Sequence, residues 1–127
     1  MSDMRRLFGI VTSGGTTTDA GEAAARAVDL FMRRIGDDFD IREVYLFGSH
    51  ARGEAHKDSD VDVAVVLGGR GNLSETVVRF SDVAYDVFME TGVLVDAHPL
   101  WKDEWQDPGA STNPHLIENI KRDGVRL

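Results

Sequence analysis

Apolar positions change period along the chain, and each change marks an element. Ala23, Ala24, Ala27, Val28, Phe31 and Ile35 recur at helical spacing and form one face. Asp19 with Glu22 three residues on has the form of a capping box, so a helix is predicted over about 20–35, ended by Gly36-Asp37-Asp38. The run Val44-Tyr45-Leu46-Phe47 then reads as a buried strand over 43–47, and Val61–Leu67 as a second one, broken by Gly68-Gly69-Arg70-Gly71. Asn72 or Ser74 can cap a second helix over about 74–90, with a buried stripe expected at Val77, Val78, Ser81, Ala84, Tyr85 and Phe88. A third strand over Val93–His98 is expected to stop at Pro99. Trp101–Gly109 follows as a loop or short irregular helix. Asn113-Pro114 opens a last helix, cap first and proline in the first turn, and Gly124 closes it.

The order is helix, strand, strand, helix, strand, helix. It predicts an α/β (α+β) domain, a small sheet with helices packed on one face. That domain is placed at residues 19–127. Residues 1–18 run from MSDMRRLFGIV into TSGGTTT and are expected to be a flexible N-terminal arm. Within it Leu7–Val11 has the pattern of a short strand or a docking segment.

Composition narrows the class. A chain of 127 residues, 42% apolar, is long enough for one core and too short for two. It contains no cysteine, so thiolate metal sites and disulfides are excluded, which fits a reducing cytoplasm. There is no signal-peptide pattern and no apolar run near the roughly 20 residues that span a bilayer. A cytoplasmic protein with no membrane contact is expected. The 22 acidic residues outnumber 14 basic ones, for a net charge of −8. The basic residues form no track along which a nucleic acid would displace its counterions, so nucleic acid is not the expected partner and a basic protein is.

The chemistry concentrates in residues 44–67. Gly48-Ser49 is followed, after ten residues, by Asp60-Val61-Asp62. Strand side chains alternate faces, so carboxylates at i and i+2 point the same way and can grip the same ions. The glycine and serine fall at a strand end, where backbone N–H groups can hold a phosphate. A phosphate cradle beside a carboxylate pair for Mg²⁺ is what metal-assisted nucleotidyl transfer requires. Gly48 would allow the backbone to approach the phosphates, Ser49 would hydrogen-bond one of them, and Arg52 would reach another bidentately. Arg52 has a competing role in a surface salt bridge with Glu54 or Asp58. Ser59 adds a hydroxyl next to the pair. Gly48-x4-Gly53 imitates a P-loop, but Glu54-Ala55 replaces the lysine and hydroxyl. Asp58-x-Asp60-x-Asp62 imitates an EF-hand, but Val63 and Gly69 replace its glycine and glutamate.

GSHARG followed by SDVDV resembles the signature of the DNA polymerase β-type nucleotidyltransferases. In particular it is similar to the minimal nucleotidyltransferases (MNT) found beside HEPN-domain toxins. The likeness is dense over 44–67 and continues through Val93–His98 and Asn113–Val125. It implies a mixed sheet, two Mg²⁺ ions, and transfer of a nucleoside monophosphate, most simply AMP from ATP, to a hydroxyl. The implied acceptor is a tyrosine of a HEPN partner, the chain acting as its antitoxin. It also implies a third acidic ligand on a neighbouring strand that helps deprotonate the acceptor. Asp96 is the only carboxylate inside the third strand, and a charge in an apolar strand needs a reason such as metal ligation. The expected catalytic and metal set is therefore Asp60, Asp62 and Asp96, with Gly48, Ser49, Arg52 and Ser59 on the nucleotide. His50, His56 and His98 receive no role, although His98 shares a strand face with Asp96. A different class of function also fits. A non-catalytic module could neutralise a partner by contact through its acidic surface, Trp101, Trp105 and Leu7–Val11.

Overall fold

The computed structural model of the chain describes residues 19–54 and 60–127. Leu7–Val11, Asp58 and Ser59 lie outside them. Helix α1 spans Asp19–Ile35, and strand β1, Ile41–Phe47, leads into a single-turn helix α2, Gly48–Ala51. Strand β2 is Val61–Leu67, helix α3 Leu73–Thr91, and strand β3 Val95–Trp101. Helix α4, Lys102–Gln106, a 3₁₀ turn at Pro108–Ala110, helix α5, Pro114–Asp123, and strand β4, Val125–Arg126, complete the order.

The four strands form one mixed sheet in the order β3-β2-β1-β4. β1 is antiparallel to β2 and β4, and β2 is parallel to β3 with α3 as the crossover. The α/β class with a mixed, nucleotidyltransferase-like sheet is thus the one expected. α1 and α3 pack on one face of the sheet. There Phe31, Ile35, Leu46, Val61, Val63, Val65, Phe80 and Val87 form the main core. Phe80 holds the two helices together, meeting Phe31 and Phe39 edge-on at ring distances of 5.6 and 5.2 Å. The shorter α4 and α5 cover the other face, so helices pack on both faces and not on one as expected; there Ala64, Val66, Leu100, Trp105, Ile117 and Ile120 make a second, smaller core. From Val63 to Leu67, β2 is buried on both sides, which is why that stretch reads as an unbroken apolar run.

Several local expectations change. The stripe of α3 that meets the core is Thr76, Phe80, Val83, Ala84 and Val87, which shares only Ala84 with the predicted one. Val77, Val78, Tyr85 and Phe88 are exposed. The helix has apolar residues around much of its circumference, so packing against α1 and β3 decided which of them turned inward. β3 runs through Pro99 to Trp101 because it is an edge strand. The Leu94 carbonyl accepts from the Val61 N–H at 2.9 Å. Alternation then sends the missing N–H of Pro99 away from β2, where none is needed. Trp101 and Trp105 are buried, one in each core, so they form no contact surface. Asn72 and Asn113 do cap α3 and α5, and Gly92 takes the left-handed cap that ends α3. Among the described residues no helix is long and apolar enough to cross a membrane.

Candidate active site

The strand ends that carry the glycine-serine and the aspartates meet at one corner of the sheet. Phe47 pairs with Asp62 across β1 and β2, and Asp62 pairs with Asp96 across β2 and β3. Register therefore brings the carboxylates of two distant segments side by side on one face. His98 lies opposite Ala64, two residues along β3 and on that same face. Ligand atoms of Asp62, Asp96 and His98 all lie within 4.8 Å of one another, a spacing one cation can bridge. The His98 Nε2 is 3.4 Å from Asp96 Oδ2, and its ring sits against Phe47 at 5.4 Å.

Electrostatics makes this corner hungry for a cation. Asp62 is half-buried, and burial pushes its carboxyl above the ordinary carboxylate range. The negative charges of Asp96 and Asp60 push it further, against a smaller opposing pull from His98. Oxygen donors of like charge, partly desolvated and held this close, suit Mg²⁺. Asp60 is exposed just before β2, near enough for its charge to reach Asp62, but outside the tight group of ligand atoms.

Gly48 has φ +72°, which glycine alone adopts without penalty. It lies directly against Asp62: a Cβ at this position would overlap the carboxylate oxygen and come within 3.1 Å of Cγ. The glycine therefore makes room for the carboxylate as well as for a ligand. No side chain caps the one-turn helix α2, which starts at Gly48 and Ser49. Arg52 follows that turn and, as weighed from sequence, pairs with Glu54 at 3.1 Å.

Sequence reasoning missed what faces this turn from α5. A depression of about 230 Å³ is lined by Phe47, Gly48, Arg52, Asn119 and Arg122. It is smaller than a typical whole-ligand pocket, and Leu116 and Asp123 complete its lining. Arg122 is held there by Asn119 and Asp123 at 3.2 Å each. Nothing in the spacing of the sequence ties residue 122 to residue 48, because the link is made only when α5 folds back over the sheet.

Comparison with known proteins fits this corner. The nucleotidyltransferase domain family matches residues 28–126, and the chain belongs to that family. Its class of reaction is nucleotidyl transfer. A solved protein of Sulfolobus solfataricus described as a nucleotidyltransferase is 23% identical, with 90% of each chain covered and a TM-score of 0.56. A toxin–antitoxin structure with AMP-PNP is 22% identical over 80% of this chain and 69% of that one, TM-score 0.54. A MntA–HpeT toxin–antitoxin structure with a tyrosine changed to alanine is 20% identical over the same shares, TM-score 0.53. These likenesses are of fold. No curated protein matches the sequence.

Proposed function

We propose that this nucleotidyltransferase moves AMP from ATP to a tyrosine hydroxyl of a HEPN-type toxin, and so acts as the antitoxin. The observation that carries the reading is the Asp62–Asp96 register pair set against Gly48. Toxin–antitoxin structures among the fold neighbours, one of them with an adenine nucleotide analogue, support the partner and the nucleotide.

Asp60, Asp62 and Asp96 would hold Mg²⁺, with His98 beside them. Bound there, the metal would neutralise the triphosphate and polarise the acceptor hydroxyl. The α2 turn, with Gly48 and Ser49, would cradle a phosphate, and Arg52 and Arg122, paired with Glu54 and Asp123, line the depression beside it and would turn to its oxygens. Ser59 adds a hydroxyl before the pair. The acceptor oxygen attacks the α-phosphorus, the bond to the bridging oxygen breaks, and pyrophosphate leaves. Asp96, on the outer strand, takes the hydroxyl proton.

Incubation with Mg²⁺, α-labelled ATP, CTP, GTP or UTP and a HEPN toxin tests this. Label from ATP should appear on the toxin and vanish with Asp60→Asn/Asp62→Asn. No label from any nucleotide, with the toxin still bound and neutralised, would replace transfer by neutralisation through contact. Label from another nucleotide would correct the donor.

A further inference from the structure

The exposed apolar surface of this protein is gathered in one place. Among the described residues, every exposed large hydrophobic side chain lies on α3 or in the turn after it, from Leu73 to Leu94. Val77, Tyr85, Phe88 and Leu94 wall an open groove of about 450 Å³ whose floor is β3 from Val95 to Pro99. Such a concentration of large side chains in water marks a contact surface. The groove lies on the α3 face of the sheet; Asp96 and His98 line its β3 edge, and their side chains turn to the opposite face, where the metal corner just described sits.

Charge narrows the occupant. The exposed row of α3 next to the apolar one carries Glu75 and Asp82, while Asp86 lies near enough to Arg34 of α1 to act on its charge. The only basic residue of α3, Arg79, is taken up by Asp38 at 2.9 Å. An apolar surface with this acidic row beside it repels a second copy of itself, whose own acids would be set against these. It suits an apolar row flanked by Lys or Arg.

We propose that the α3–β3 groove is the docking surface for the protein acceptor. A basic amphipathic segment lays its apolar row against Tyr85, Phe88 and Leu94, and this seats the rest of the acceptor next to Asp96. What is delivered there rests on the transfer reading; the docking does not.

The test is a nucleotide-free titration with two labelled peptides of about four helical turns. They share the same leucine positions and carry either lysine or glutamate at the others. The lysine peptide should bind, and the glutamate peptide should not. Tyr85→Ser/Phe88→Ser should weaken the lysine peptide at least about tenfold, as loss of buried aromatic anchors does. Both side chains are exposed, so an unchanged circular dichroism spectrum is expected. Equal binding to wild type and variant would reduce the attraction to net charge and overturn the proposal. So would a wild-type dimer in sedimentation that the double variant dissolves, since the occupant would then be a second copy. A failed transfer assay leaves this titration untouched, and a failed titration leaves transfer untouched.

Discussion

At Gly48 a single missing Cβ sets the geometry of the candidate site. The residue combines a positive φ with contact against the Asp62 carboxylate, so Gly48→Ala meets two penalties. The left-handed backbone costs about 1–2 kcal/mol. Displacing Asp62 by a fraction of an ångström should lower transfer by about 100-fold, the usual scale for a misplaced catalytic group. Urea unfolding and label transfer measure the two effects separately. Asp62 supplies a second prediction. Its folded-state carboxyl lies above the ordinary range, first through burial and then through Asp96 and Asp60. The folded, metal-free protein therefore binds a proton there more tightly than the unfolded chain. The stability tied to that proton is full below the ordinary carboxylate range and lost as pH rises through the raised value. Asp62→Asn should accordingly raise the melting temperature in EDTA at pH 7, with a gain that shrinks towards pH 3. A gain that is the same at both pH values would exclude this origin. The glycine-serine and the aspartates were legible in sequence because their chemistry is set within one short segment. Arg122 was not, because it reaches that corner from the far end of the chain.

At the scale of elements, α3 shows where periodicity stops being informative. Both Phe80 and Val78 lie in apolar registers, yet Phe80 is buried against Phe31 and Phe39 while Val78 is 60% exposed. Phe80→Ala should cost about 3–5 kcal/mol, a transfer loss plus a cavity. Val78→Ser should stay within about 0.5 kcal/mol of wild type. Denaturant melts of the two variants check the assignment, and a reversal would restore the stripe expected from sequence. β3 teaches a related lesson. Proline stops a strand only where its N–H would be needed, and edge position removes that need at Pro99. β4 escaped notice because a two-residue strand has no period of its own. It exists through the pairing of Val125 with Leu46 and Arg126 with Tyr45.

For the whole molecule, the corner and the groove are coupled by β3. Mg²⁺ with ATP should stabilise the folded protein by mass action, about 2.7 kcal/mol at a hundred times the dissociation constant. The shift should be absent in Asp60→Asn/Asp62→Asn and retained in Tyr85→Ser/Phe88→Ser, as differential scanning fluorimetry would show. Sequence by itself determined the class of fold, the strand-turn-strand that carries Gly48, Ser49, Asp60 and Asp62, and the reaction those residues imply. It could do so because turn chemistry, strand alternation and motif spacing are local. Only the tertiary structure decided that Asp96 and His98 stand beside Asp62, that Arg122 faces Gly48, and that the tryptophans are core. It also decided that the apolar face of α3 is left in water. These outcomes follow from strand register and from which faces pack, and both are settled by contacts between residues far apart in the chain.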